Sequence, residues 1–356
     1  MNRKIFGILL SIMLMTAFLT TAQNISTESK NYRYNETDTI FFQDGEVPVW
    51  EVGNKWTYKV DNIVINFEEP DLHIYIDGDI DDLKLEVDKV TENFYELDFY
   101  ADIFGSYEFY TYVEDGPINI TGELGNTQVN GTITYNKTDL AIEKVNLEIS
   151  GSLTIKNFEQ PYYDLSFLPD VPIPATIILD IDFVNPYPII KFPIKIAEPW
   201  GLPSTNFTLT GTIESPWLKI ANIINKIIRI PGVITILSSI LKTDPALLQN
   251  MSDILDDILP TISIEYVLNK YLDIGNIFTI PEVPPILCCL SKDPITVLPG
   301  TFECYNVSLM GTNLGNIYFN NTKIKNFVKI TGNFQDILPS IGNINAELTS
   351  YSLDSK

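Results

Sequence analysis

The chain has 356 residues, of which 45% are hydrophobic, and its formal net charge at neutral pH is −23. This length allows a sizeable apolar core. The negative charge repels nucleic acid and anionic lipid head groups, so both are excluded as main partners.

Residues 1–22 have the pattern of a secretory signal peptide. Two basic residues precede an apolar run over residues 5–18, and Thr20-Thr21-Ala22 supplies small residues for cleavage. The run is shorter than the roughly 20 residues of a membrane span. We therefore expect a protein that is secreted or lies on the extracytoplasmic cell surface, with an uncleaved N-terminal anchor as the alternative.

Residues 23–47 are polar and lack an apolar period, so we expect a flexible leader. The region 48–214 follows, and it opens with Trp50, Gly53, Trp56 and Tyr58 in the spacing Trp-x2-Gly-x2-Trp-x-Tyr. This motif has two interpretations, an exposed aromatic binding platform or a turn glycine followed by core anchors. We favour core anchors, because aromatic side chains are a general core resource.

Alternation of apolar and polar residues predicts antiparallel strands over region 48–214. The alternation over residues 83–87 and 95–103, on either side of Thr91-Glu92-Asn93, predicts a hairpin. Residues 145–155 alternate without interruption, which predicts an unusually long strand. Further strands are predicted over 177–181 and 207–213.

In the region 215–275 the apolar period becomes 3.6 residues, which predicts a helical insert. Helices are expected from Ser215 to Pro231, over 233–241, from Asp244 onward and over 264–272. Their wide apolar stripes must be buried against the sheet, a lipid-like ligand or each other. The residues that we expect to contact such a ligand are Trp217, Ile220, Ile224, Ile227, Leu237, Ile240, Leu248, Ile254 and Leu255.

Strands return in the region 276–356, over 302–309, 316–319, 325–330 and 343–353. Since strands flank the insert on both sides, we expect both flanks to complete one sheet. The predicted fold class is α+β, mainly β: a large curved antiparallel sheet or open barrel with a helical insert packed on it.

The Trp-x2-Gly-x2-Trp-x-Tyr opening and the strand Gly315-Asn316-Ile317-Tyr318-Phe319 resemble those of uncharacterised exported β-rich proteins of archaea and bacteria. The expected plan is similar to that of periplasmic lipoprotein-carrier proteins, whose concave sheet and helices hold acyl chains. The second resemblance is architectural, so it implies no binding residue for this chain.

Two further patterns fit an exported protein. In an oxidising compartment, three cysteines predict a disulfide between Cys304 and either Cys288 or Cys289. Asn-x-Ser/Thr sequons begin at nine positions, which indicates N-glycosylation, although an Asn-rich and Thr-rich composition also produces such triplets incidentally. Besides Asn24 and Asn35, the candidates are Asn119, Asn130, Asn136, Asn206, Asn250, Asn306 and Asn320.

Metal and catalytic signals are weak. Asp77, Asp79 and Asp81 have part of a calcium-loop spacing, but Asp82 occupies the position that needs glycine, and the flanks read as strands. His73 is the only histidine, and no nucleophile motif accompanies it. We therefore expect no cofactor, no metal and no catalytic residue.

The sequence favours a non-enzymatic exported protein that binds a hydrophobic, lipid-like ligand between sheet and helices. The first alternative is a glycosylated surface structural or adhesive protein that contacts cell-envelope components. The second is a secreted hydrolase that uses paired carboxylates, which sequence alone does not reveal.

Overall fold

A computed structural model describes residues 44–69, 72–113, 116–160, 163–164, 171–216, 223, 226–227, 229–230, 232–241, 249, 277–280, 282–309, 315–333 and 343–353. The predicted signal peptide, most of the leader and most of the helical insert lie outside these residues. Within them, no helix has the length and apolarity needed to cross a membrane.

The described chain is mostly β-structure in one large antiparallel sheet. One helix is delimited within the described residues, α1 at Val233–Leu241, and it has the bounds that the sequence predicts. The strands are β1 Lys55–Glu69, β2 Leu72–Val90, β3 Phe94–Val113, β4 Gly116–Asn136, β5 Ile142–Gln160, β6 Tyr163–Asp164, β7 Val171–Tyr187, β8 Pro199–Leu202, β9 Thr205–Glu214, β10 Ile277–Ile280, β11 Val283–Val297, β12 Gly300–Leu309, β13 Gly315–Asn320, β14 Asn326–Asn333 and β15 Asn343–Ser352.

The N-terminal and C-terminal strands belong to the same sheet, as predicted. Its order is β10-β9-β7-β5-β4-β3-β2-β1-β15-β14-β13-β12-β11-β8, and β6 pairs with β5 alone. The first strand β1 lies between β2 and the last strand β15, which joins the two flanks of the insert. The predicted hairpin is confirmed, since β2 and β3 pair across residues 91–93.

The two ends of this strand order lie side by side. Ile280 of β10 pairs with Thr205 of β9. Three residues after Ile280, Val283 of β11 pairs with Leu202 of β8, which comes three residues before Thr205. The register is therefore continuous across two-residue connections, and the Ser204 hydroxyl donates a hydrogen bond to the Ile280 carbonyl at 2.9 Å. The β8–β11 and β9–β10 pairings therefore follow one another directly along the chain.

A contact between two aromatic side chains shows that the C-terminal strands curve. Phe302 of β12 and Tyr351 of β15 have ring centroids 5.9 Å apart, although these strands are three steps apart in the sheet order. Three steps across a flat sheet would cover about 14 Å. The concave side of the sheet encloses a single cluster of buried apolar residues contributed by both flanks of the insert.

The helical insert packed on the sheet is not confirmed. Beyond α1, residues 217–276 are described only at isolated positions, so the structure shows no contact between an insert and the sheet.

Candidate functional site

Trp50, just before β1, and Trp56, inside it, build one end of the core. Trp50 and Trp56 are buried, with ring centroids 5.5 Å apart. The Trp56 indole N–H donates to the Ile324 carbonyl at 2.8 Å, and the Trp50 indole N–H donates to the Lys325 carbonyl at 2.7 Å. Both indoles tie the N-terminal segment to the β13–β14 turn, so the interpretation as core anchors is confirmed.

The interior behind these tryptophans is filled. A cavity of about 30 Å³ lies between Trp50, Tyr135, Phe192 and Phe319. That volume is enough for a water molecule or two and far too small for an acyl chain. This cavity therefore does not hold a lipid-like ligand, and the described strands around it carry fully buried side chains such as Trp56 and Phe319.

The same face of the sheet continues beyond the filled core as a distal apolar face. Cross-strand rows run over it, such as Ile76–Tyr107–Gly122–Ile155 across β2 to β5, and Ile149 pairs with Ile177 across β5 and β7. We define the distal apolar face by its half-buried side chains: Ile76, Ile103, Tyr107, Phe109, Ile120, Leu124, Ile149, Ile155 and Ile177.

The reverse side of the same strands is more polar, although Phe104 and Ile178 are also exposed there. Ser106 and Glu123 are exposed next to Tyr107 and Leu124, and Glu123 forms an ion pair with Lys156 at 3.4 Å. Partial burial raises the pKa of the Tyr107 hydroxyl to about 12. The distal apolar face is thus a low-polarity surface that is neither fully covered nor fully solvated.

The strands bend where the filled core gives way to this face. Register shifts occur at similar levels in the β2–β3, β3–β4 and β4–β5 ladders. At this level Gly78 faces Gly105, and a Cβ on Gly105 would lie 2.2 Å from the Asp77 carbonyl oxygen. Bulges and such close backbone approach re-aim the distal halves of the strands relative to the core.

Several isoleucines of the region 215–275 are exposed. Ile223, Ile227 and Ile230 follow a spacing of four and three residues, which aligns side chains on one side of a helix, and Ile236 lies on α1. All four are between 44% and 60% exposed. Large contiguous apolar patches are rare on soluble monomers, so this set is a candidate contact surface.

The residues predicted to contact a ligand are only partly placed. Ile227 is exposed, and Leu237 and Ile240 lie on α1, where the structure describes only their backbone. The predicted residues Trp217, Ile220, Ile224, Leu248, Ile254 and Leu255 lie outside the described residues.

The predicted disulfide is wrong. Cys288, Cys289 and Cys304 are all buried free thiols. In the β11–β12 ladder, Cys304 pairs with Asp293, whereas Cys289 pairs with Val307, three residues further along β12. Three residues span about 10 Å of strand, beyond the Cα separation that a disulfide bridges.

Burial controls the chemistry of these thiols. It raises the pKa of Cys289 to about 11 and that of Cys304 to about 12, and it also raises the pKa of Cys288. The thiolate is the reactive form, so the three side chains serve as apolar core residues.

The acidic candidates for a metal lie on a strand and form no loop. Asp77, Asp79 and Asp81 are exposed on β2, and the Asp79 carboxylate accepts the Asn62 N–H at 2.8 Å. Lys59 lies near this group and forms an ion pair with Asp61 at 2.8 Å. Within the part of the chain that the structure describes, no three His, Cys, Asp or Glu side chains are placed to hold a metal ion.

Catalytic candidates are likewise isolated. A ring nitrogen of His73 forms a hydrogen bond with the Asn66 side chain at 2.9 Å. Burial, followed by the nearby Asp88, Glu96 and Glu86, raises the pKa of Asp98. Asp98 is exposed on the polar side of the sheet, so it faces solvent away from the core.

The sequons within the described residues differ in exposure. Asn206 is exposed; Asn119, Asn130, Asn136 and Asn306 are half-buried; Asn320 is 2% exposed. The predicted sites at Asn24, Asn35 and Asn250 lie outside the described residues.

Comparison with known proteins identifies no relative. No protein-family model, no curated protein and no solved structure matches this chain. The two resemblances drawn from the sequence therefore remain expectations, and the functional argument depends on this chain's own residues.

The distal apolar face is not predicted from the sequence, because no individual strand is predicted over the residues of β4. A signal was present: Ile118 and Ile120 alternate with polar neighbours, as do Val129 and Ile133. Glycines at 122, 125 and 131 interrupt the alternation, and they hide one long strand as several short fragments.

Proposed function

We propose that this is an exported, non-enzymatic protein that binds a neutral or zwitterionic lipid-like ligand on the distal apolar face. One observation carries this proposal: a continuous apolar face lies on the distal halves of strands β2 to β7, beyond a core that is already filled. From Ile103 to Phe109 the face runs about 20 Å along β3, a length comparable with an extended acyl chain.

The chain connectivity supports the same end of the sheet. Strand β9 runs from the filled core toward the distal halves of its neighbours, where Glu214 pairs with Thr176. The apolar region 215–275 follows directly, and its described isoleucines are exposed. In this proposal these apolar side chains and the distal apolar face contact the ligand from different sides. In the same proposal, the helical region 215–275 lies beside a curved sheet.

The charge of the chain restricts the ligand class. With twice as many acidic as basic residues, the protein's field disfavours a ligand with an anionic head group. The proposal therefore names neutral or zwitterionic lipids, whose binding energy comes from removing apolar area from water.

Binding can be tested with a fluorescent neutral diacylglycerol that carries a nitrobenzoxadiazole group. The native protein should raise its fluorescence saturably. Phe109→Glu places a charge on the distal apolar face and should weaken binding at least tenfold, because a carboxylate there must be desolvated. Ser106→Glu adds the same charge on the polar side of the same strand and should leave binding unchanged.

Unfolding curves of both variants separate binding from folding. Equal affinity in Phe109→Glu and Ser106→Glu, with both folded, would sink the proposed site. Absence of saturable binding by the native protein would remove the ligand-binding function altogether.

The second candidate function is a surface structural protein that carries glycans. The filled proximal core favours it, since a scaffold needs no cavity. This candidate predicts that the protein co-purifies with cell-envelope polymer and contains no extractable lipid by mass spectrometry.

A further inference from the structure

We propose that Asn136 and Asn206 are N-glycan acceptors, and that Asn306 and Asn320 carry no glycan in the folded protein. The inference rests on the export proposed above and is independent of the lipid ligand. All four asparagines lie in intact Asn-x-Ser/Thr triplets, so the sequence alone does not separate them.

The chemistry of the modification sets the structural requirement. The side-chain nitrogen Nδ2 attacks the anomeric carbon of an oligosaccharide activated as a lipid-linked diphosphate. The new bond joins Nδ2 to that carbon, the lipid diphosphate leaves with the bonding electron pair, and Nδ2 releases one proton. The product nitrogen keeps a single N–H, so in the folded protein Nδ2 must face solvent and have space for a sugar.

Asn206 meets this requirement on the surface of β9. Its side chain is exposed, and it lies opposite Thr279 of β10. The Thr279 hydroxyl donates to the Asn206 Oδ1 at 2.7 Å. Because the oxygen is held by the neighbouring strand, the amide has a fixed orientation, and Nδ2 is the end left for solvent.

Asn136 meets it at the turn between β4 and β5. Its Oδ1 accepts both the backbone N–H of Thr138 at 2.8 Å and the Thr138 hydroxyl at 2.6 Å. The two bonds fix the amide oxygen within the sequon itself. Its Nδ2 has one long contact, 3.3 Å to the Glu143 carboxylate, which a glycosylated amide can keep with its remaining N–H.

The sequon of Asn320 also forms a turn, but here the side-chain nitrogen faces the sheet and not the solvent. Its Oδ1 accepts the backbone N–H groups of Thr322, Lys323 and Ile324, and its Nδ2 donates to the Glu303 carbonyl at 2.7 Å. The residue is buried in a packed part of the sheet. A sugar on Nδ2 would have to displace β12.

Asn306 is blocked by a second type of contact. Its Nδ2 donates to the Asp293 carboxylate at 3.0 Å, and its Oδ1 is buried. Asp293 also accepts the Ser291 hydroxyl at 2.6 Å. Unlike Asn136 at its turn, Asn306 is paired on both sides, with Ser291 of β11 and Tyr318 of β13. Since the amide oxygen is also enclosed, a sugar on Nδ2 would have to part neighbouring side chains of the sheet.

The experiment is site occupancy on the full chain, secreted from a host that N-glycosylates its exported proteins. Release with peptide N-glycosidase in ¹⁸O-labelled water converts each occupied Asn to labelled Asp, which peptide mass spectrometry locates. We expect label at Asn136 and Asn206 and none at Asn306 or Asn320.

Paired variants test the same sites without altering the asparagines. Thr208→Ala removes the sequon at Asn206 and should lower the intact mass by one glycan. Thr322→Ala removes the sequon at Asn320, keeps the Thr322 backbone N–H bond, and should leave the glycan mass unchanged.

Label at Asn306 or Asn320 in folded protein would overturn the assignment. So would an unlabelled Asn136 and Asn206 in secreted protein from cells whose own glycoproteins are labelled. Retention of the chain inside the cell would instead overturn the export on which the assignment rests.

Discussion

Two buried tryptophans provide a matched test of how the core is stabilised. Trp56 donates its indole N–H to the Ile324 carbonyl at 2.8 Å, whereas the Trp200 indole nitrogen is buried without a hydrogen-bond partner among the described residues. Replacing either with Phe removes the same atoms, so the packing loss is similar. Trp56→Phe also leaves a carbonyl unpaired, at a cost of about 1–3 kcal/mol, while Trp200→Phe removes an unpaired donor and recovers a similar amount.

We therefore expect Trp56→Phe to lower the free energy of unfolding by about 2–6 kcal/mol more than Trp200→Phe does. Urea unfolding followed by far-ultraviolet circular dichroism measures both, because that signal reports the sheet and does not depend on the tryptophans themselves. Equal losses in the two variants, or a larger loss in Trp200→Phe, would refute the assignment of a stabilising hydrogen bond to Trp56 and an unpaired donor to Trp200.

Three other predictions follow from the sheet and its thiols. A thiol reagent should not modify Cys288, Cys289 or Cys304 in the native protein, and it should modify all three after unfolding without reductant. If only one of the three thiols reacts after unfolding, the other two form a disulfide, and the assignment of free thiols is wrong. Since burial raises the pKa of Cys289 to about 11, the unfolded chain ionises first. The contribution of Cys289 to stability should thus be present below about pH 9 and fall by roughly 3 kcal/mol as pH rises to about 11. In a pH series of urea unfolding, Cys289→Ala should remove this part of the fall and leave the parts that come from Cys288 and Cys304. Amide hydrogens of residues 199–208 and 277–288 should exchange as slowly as those of central strands. Rapid exchange in both segments would contradict the β8–β11 and β9–β10 pairings.

The sequence predicts local features well because their signals are local. Alternation identified residues 145–155 inside β5, and a 3.6-residue period placed α1 at Val233–Leu241. The burial of Trp50 and Trp56 followed from the general use of aromatic side chains in cores. Each of these depends on the intrinsic periodicity of a strand or helix, or on the chemistry of one residue type.

Features that depend on register were beyond the sequence. The spacing of Cys304 from Cys289 is compatible with a hairpin disulfide, yet a bulge and the β11–β12 register hold them apart. Similarly, β8 and β10 are strands of only four residues. Their pairing with β11 and β9 shows that the two ends of the strand order lie side by side. Pairings between residues far apart in the chain leave no periodic pattern.

The proposed ligand site shows the same limit. Apolar residues in the region 215–275 indicated a surface in need of a partner, and Ile227 is indeed exposed. The distal apolar face is missed because Tyr107 and Phe109 lie in a stretch without clear alternation. Only the β2–β3 and β3–β4 registers show that these two side chains share the face of the core.

The most direct test of lipid binding on the distal apolar face is photo-crosslinking with a neutral lipid that carries a diazirine in its acyl chain. After irradiation of the native protein, peptide mass spectrometry should place the label on peptides that contain Tyr107, Phe109 and Leu124, with little near Trp50. Label spread evenly over the protein, or confined to the proximal core, would contradict the proposed site.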